Sequence, residues 1–153
     1  MAAGGKGALE YQLIYLCVDA AGPYGEFSGR LVSPYLTEQE RFQTVGELMW
    51  KVDRLLSRCG MAKRYEERRY FPSAGSPVQI KRDETLTPRS VRLPSGGCGT
   101  FAVRILFRRN ATWQGEVRWL ERNERELFRS ARELIEMVGG AAAAESFPCA
   151  AVN

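Results

Sequence analysis

FAVRILFRRNATWQGEVRWLERNERELFRSARELIEMV, from Phe101 to Val138, reads as two strands, a short third strand and a capped helix. Phe101, Val103, Ile105 and Phe107 alternate with Ala102, Arg104, Leu106 and Arg108, the period of two expected of a half-buried strand. RRNATWQG is the connection, Gly115 to Leu120 the return strand with Val117 and Trp119 on one face, and Asn123 lies in a turn before Glu126–Phe128. Ser130 and Glu133 have capping-box spacing: the hydroxyl accepts the backbone N–H three residues on and the glutamate reaches back. Ala131, Leu134, Ile135 and Val138 form the helix stripe, which Gly139-Gly140 is expected to stop.

A diverged copy of this unit lies in the N-terminal third. Tyr11–Val18 (YQLIYLCV) is a strand apolar on both faces, so it is interior or covered on both sides. Glu26–Val32 is the second strand, antiparallel to the first, ended by Pro34. Thr44 and Glu47 repeat the capping box, and Val45, Leu48, Met49, Val52, Leu55 and Leu56 give a broad stripe on a helix from Val45 to Cys59, with Gly60 following it. An offset of 90 residues aligns Tyr11 with Phe101 and runs without a gap to Gly25-Glu26 against Gly115-Glu116. After four extra residues in the first copy, an offset of 86 places FQTVGELM on FRSARELI.

The fold class that follows is α+β: duplicated β-β-(β)-α units, with an antiparallel sheet packed against two helices. Residues 10–138 form one domain of two pseudo-repeats, 10–60 and 100–138, joined by an irregular basic segment, 61–99. Residues 1–9 and 139–153 read as flexible tails. Within 61–99, one or two short strands are expected in SPVQIK and TLTPRSVRLP. Each unit presents an apolar sheet face that it cannot cover alone. The copies pair edge to edge under two helices, close around a shared core, or make the equivalent contact between two chains.

Composition narrows the function classes. An apolar fraction of 44% and a charged fraction of 26% are those of a soluble globular chain. There is no run of 18 apolar residues and no signal-like N-terminus, so a cytoplasmic protein with no membrane contact is expected. Four cysteines (Cys17, Cys59, Cys98 and Cys149) form no CxxC pair and histidine is absent, which removes His-containing triads and HExxH sites and leaves neither a metal nor a cofactor expected. The net charge of +4 is concentrated between 58 and 95, where nine basic residues face four acidic ones.

The residue clusters each have a plain structural reading beside a chemical one. Arg129, Ser130 and Arg132 at a helix start resemble a phosphate site, but Glu133 already fills the capping role. Arg104, Arg108, Arg109 and Arg118 on a sheet, with Trp113 and Trp119 beside them, are what a single-stranded nucleic-acid platform requires. Trp119 is in phase with Val117, however, and Leu106 interrupts the row. Arg68 and Arg69 within KRYEERRY, with Lys81 and Arg82, extend the basic set into the 61–92 segment. LPSGGCG is no P-loop, because no GK[ST] follows. Cys98 has no histidine or other convincing base near it in the sequence. Glu66-Glu67 and Asp83-Glu84 are adjacent in sequence, which does not make them a facing acid–base pair.

The segment Asn110–Val138 resembles the C-terminal signature of small uncharacterised proteins of clostridial-type Firmicutes, which carry a TWQG-x-V-x-W … F-x-S-x-x-EL pattern. It covers about a fifth of the chain. The resemblance implies a bacterial, cytoplasmic protein and assigns no catalytic residue or ligand. In the first copy Pro23 aligns with Trp113 and Gly29 with Trp119, so a function resting on those tryptophans belongs to the second copy. The reading reached is a non-catalytic protein-interaction or regulatory module acting on a protein partner or as a homodimer. The runner-up is a nucleic-acid-binding module that uses the 61–92 segment and the sheet arginines. The binding residues named are Trp113, Arg104, Arg108, Arg109, Arg118, Arg68, Arg69, Lys81 and Arg82.

Overall fold

The structure, a computed structural model, describes residues 13–146. Each unit contributes three strands and a helix. The first has β1 (Ile14–Ala21), β2 (Phe27–Val32), β3 (Glu40–Phe42) and α1 (Val45–Cys59). The second has β4 (Gly99–Phe107), β5 (Gln114–Trp119), β6 (Glu124–Phe128) and α2 (Ala131–Ser146). The strands form one antiparallel sheet in the order β3-β2-β1-β4-β5-β6. The two units therefore join edge to edge within one chain, through β1 and β4 at the centre. Ile14 faces Val103 and Leu16 faces Phe101 across that seam.

Both helices lie on one side of the sheet. Ile14, Leu16, Val18, Phe27 and Leu31 from the first unit meet Phe101, Val103, Ile105, Trp113 and Val117 from the second, under Leu48, Val52 and Leu56 of α1 and Leu134, Val138 and Ala142 of α2. Both capping boxes form as the spacing requires. The Glu47 N–H donates to Thr44 Oγ1 and the Gln43 N–H to Glu47 Oε2; Glu133 N–H donates to Ser130 Oγ and Arg129 N–H to Glu133 Oε1. Gly60 ends α1 in the left-handed region at φ 69°, and the following Met61 N–H returns to Leu56 O.

The strand registers correct the alignment of the repeat. Val18 pairs with Gly29 as Ile105 pairs with Gly115, and each pair is followed by a register shift, before Ala20 and before Phe107. Gly29 faces Phe42 as Gly115 faces Phe128. The equivalences are thus Val18 with Ile105, an offset of 87, and Gly29 with Gly115 and Phe42 with Phe128, offsets of 86. An offset of 90 in the first strand is wrong by three residues, an odd slip that would exchange the two faces. It matched apolar to apolar only because β1 is apolar on both sides. Trp113 then corresponds to Phe27 and Trp119 to Ser33, so the first copy does have a core aromatic in Trp113's place.

Two further expectations change. Among the described residues, 61–98 holds no named strand: SPVQIK and TLTPRSVRLP are irregular, with a single 3₁₀ turn at Pro72–Ala74 and an isolated parallel bridge between Arg64 and Arg108. Part of this segment instead runs across the sheet. The Arg89 N–H donates to Pro34 O at one end and Cys98 N–H to Val18 O at the other. Between them Pro94 O accepts from Cys17 Sγ (3.2 Å) and Ser95 O from Arg30 Nη2 (2.9 Å). Cys17 lies outside the helix-side core yet is fully buried, so this strap covers the outer face of β1–β2. Nor does Gly139-Gly140 end the second helix. α2 continues through both glycines to Ser146 on an alanine run of high helix propensity. The tail expected from 139 is therefore helical to 146, and 147–153, like 1–9, lie outside the described residues. Gly139 is required by a close approach: a Cβ there would sit 2.6 Å from the Gly25 carbonyl oxygen.

Gly29 and Gly115 are the most tightly constrained of the paired positions, since a Cβ on either would collide with the carbonyl of Cys17 or Arg104 on the neighbouring strand. Gly29→Ala and Gly115→Ala are each expected to lower stability by about 1–3 kcal/mol, read from the urea midpoint at unchanged m-value. A neutral result at both positions would contradict this account of the paired bulges.

Candidate functional site

The densest charged cluster lies where the C-terminal half of α1 meets the end of β4. Asp53 sits on the α1 face beside Leu56, nearly buried at 8% exposure. Its carboxylate accepts from Arg108 Nη1 (3.1 Å), Arg64 Nη2 (2.9 Å) and Arg68 Nη2 (2.6 Å). Arg108, at 4% exposure, also donates to Ser57 Oγ, to the Asp53 carbonyl and to the carbonyls of Met61 and Ala62. One guanidinium therefore ties β4 to the last turns of α1 and to the chain leaving it. Burial opposes ionisation of Asp53, but the bonds from Arg108 and the field of Arg64 outweigh it and hold the carboxyl below the usual range. Burial likewise pulls the Arg108 guanidinium downward against the support of Asp53; an arginine starts so high that it remains charged at neutral pH. A carboxylate engaged by three guanidiniums is not available as a base. The cluster is a clasp.

Just beyond it, Asn110 and Ala111 both stand at φ 57° and their N–H groups donate to the Glu66 carboxylate at 2.7 and 3.3 Å. Arg109 lies over the rings of Phe107 (4.4 Å) and Tyr65 (5.5 Å). On the other side of the α1 terminus, Asp83 N–H donates to Arg58 O, the Arg58–Asp83 ion pair closes at 3.6 Å, and Arg82 packs against Gly60. The loop of residues 69–82 is thus held at both ends on α1. Along it Tyr70, Phe71 and Val78 are 51%, 81% and 80% exposed.

The nine residues named from the sequence fall in separate places. Trp113 is core, 5% exposed, which takes it off any surface. Arg108 points to the helix side and is consumed by the clasp, which also takes Arg68. Arg109 lies on the β4–β5 turn, and Arg69, Lys81 and Arg82 belong to the loop. Only Arg104 and Arg118 share the sheet face away from the helices. Trp119 stacks on Phe101 with 6.0 Å between ring centroids, and Arg122 lies over it. The residue missed was Asp53. Its signal was a carboxylate four residues after Met49 and three before Leu56, on an otherwise apolar stripe.

Among the described residues the thiols do not suggest a nucleophile. Burial raises both Cys17 and Cys59, the latter to about 11, opposite to what an activated thiolate needs. Cys98 Sγ is 3.0 Å from Ser146 Oγ and 3.4 Å from Asp19 O. Among the described residues no three His, Cys, Asp or Glu side chains are grouped to hold a metal ion, and no helix is long and apolar enough to cross a membrane. No family model, curated protein or solved structure matches the chain.

Removing the Asp53 charge leaves the buried Arg108 unpaired, so Asp53→Asn is expected to cost roughly 3–5 kcal/mol at pH 7. Because the folded carboxyl titrates below its unfolded value near 4, the clasp contributes fully above that pH and is lost as pH falls through the folded value. Urea midpoints measured from pH 7 to pH 2.5 should fall more steeply in the native protein than in Asp53→Asn. Parallel curves would remove Asp53 from the account.

Proposed function

We propose that the protein is a non-catalytic protein-interaction module, in which the sheet-and-helix scaffold holds out the 69–82 loop as its contact element. The observation that carries this is the contrast between the loop's anchored ends and its exposed side chains. The ends are held by Arg68 on Asp53, Arg58 on Asp83 and Arg82 against Gly60, whereas Tyr70, Phe71 and Val78 between them stand in solvent. Large apolar side chains left exposed on a tethered loop are a contact surface rather than a core defect. Arg69, Lys81 and Arg82 flank these residues in sequence, with no carboxylate between Arg69 and Asp83, so a partner with an apolar pocket and an acidic rim fits the loop. The partner is another protein or a second copy of this chain. A bacterial cytoplasmic setting belongs to the same proposal, on the resemblance of Asn110–Val138.

The same three loop cations support the second reading, a nucleic-acid contact. That reading has to do without Arg108 and Trp113, which the clasp and the core already occupy.

Phe71→Ser with Val78→Ser should leave stability within about 0.5 kcal/mol, because neither side chain is buried. It should also abolish self-association in sedimentation or the capture of specific proteins from nuclease-treated extract, with little dependence on salt. If the double variant behaves as the native protein in both measurements, the loop is not the contact element. A steeply salt-dependent mobility shift with short RNA or DNA, lost in Arg69→Gln/Lys81→Gln/Arg82→Gln, would transfer the assignment to the second reading.

A further inference from the structure

The two-fold relation between the units is broken on the outer face of the sheet, and the break leaves an opening. On β1–β2 the strap covers the face, and Pro94 O accepts from Cys17. The residue equivalent to Cys17 in the second unit is Arg104, and those equivalent to Arg30, Val32 and Arg41 are Glu116, Arg118 and Leu127. Register confirms the neighbourhood: Ala102, Arg118 and Arg125 lie in one row across the sheet, and Arg104, Glu116 and Leu127 in the next.

Among the described residues no segment plays the strap's part here. Arg104 Nε is buried with no hydrogen-bond partner, and among the described residues neither the Arg104 nor the Arg118 side chain has an ion-pair partner. Glu116 is met by Arg125 at 3.4 Å, and Leu127 is 69% exposed. A buried N–H without an acceptor is costly, and here it stands where the other unit presents a group to a peptide carbonyl.

We infer that the outer face of β4–β5–β6 binds an extended acidic peptide segment of a partner protein, laid over it as the strap is laid over β1–β2. A carbonyl of the bound segment accepts from the Arg104 guanidinium as Pro94 O accepts from Cys17. Its carboxylates meet Arg118 and the guanidinium of Arg104, since three arginines against the single Glu116 leave this face positive. An apolar side chain covers Leu127. A peptide fits better than a nucleic-acid strand because the exposed apolar side chain of β6 on this face is the aliphatic Leu127, which covers an apolar side chain but gives a base no ring to stack on. The inference rests on the protein-interaction reading but uses a different surface from the 69–82 loop, so the two can fail separately.

The test is titration of isotopically labelled full-length protein with a panel of acidic octapeptides built on the strap. Its parent is EVELPSGG, derived from the strap's own SVRLPSGG, with SVQLPSGG as the neutral control. Saturable amide shifts confined to β4, β5 and β6 are expected from the acidic peptides. Affinity should fall about tenfold in Arg104→Gln, in Arg118→Gln and in the exposed Leu127→Lys, and be unchanged in Phe71→Ser/Val78→Ser. The proposal is overturned if no acidic peptide gives a saturable shift, or if Arg104→Gln and Arg118→Gln, folded by their thermal melts, bind as the native protein does. Tighter binding of oligouridylate to the same amides would assign the face to nucleic acid. Peptide binding that appears only after residues 1–12 are deleted would assign it to the chain's own N-terminal segment. Either result would overturn the proposal. Loss of peptide binding with the loop contact intact would leave the function proposed above standing.

Discussion

The antiparallel seam between β1 and β4 is the constraint on which the rest of the structure depends. Each unit is a three-stranded sheet with one helix, and each has a side of its sheet that one helix cannot cover. Pairing Ile14 with Val103 and Leu16 with Phe101 turns two exposed edges into the middle of a six-stranded sheet. It also brings the two helices side by side over a common apolar layer. The strands left at the edges are the three-residue β3 and the charged β6, both poor templates for further pairing.

Within this frame the halves have diverged where helix meets strand end. In α1 the position is Asp53, and the gap to β4 is filled by Arg108 and its bonds to Ser57, Met61 and Ala62. The equivalent position in α2 is Gly139, where the helix approaches the backbone of Gly25 too closely for any Cβ. One unit therefore solves the contact with a buried ion pair and the other with an absent side chain. The ionic solution recruits Arg64 and Arg68 as well, which fixes the start of the long connection and sets the direction in which the loop of 69–82 leaves the scaffold. Divergence on the outer face follows the same logic: a cysteine at 17 accommodates a strap, while an arginine at 104 leaves a donor.

Legibility from sequence tracked how local the cause was. Both capping boxes, the extent of α1 and the strand from Phe101 follow from spacing within a few residues. The length of α2 did not, because Gly139-Gly140 has the local form of a stop signal and its real reason is a carbonyl more than a hundred residues earlier. The clasp was not read from the sequence: Asp53 lies in phase on an otherwise apolar stripe, and nothing near it in sequence points to Arg108. The arginines that look like one row in the string separate in space, because a bulge after Ile105 puts Arg108 on the helix side while Arg104 stays on the other.

By itself the sequence determined the fold class, the duplication, five of the six strands and the starts of both helices, since alternation and three-to-four periodicity are properties of consecutive residues. Only the tertiary structure decided the register of the repeat, the meeting of the halves within one chain, and which cations are spent on a buried carboxylate and which are left facing outward. Those outcomes turn on contacts between residues tens of positions apart, where a shift by an odd number of residues exchanges core for surface. The stretch from Phe101 to Val138 contains both kinds of information: its strands and cap can be read in place, but its Trp113 and Arg108 take their meaning from the fold around them.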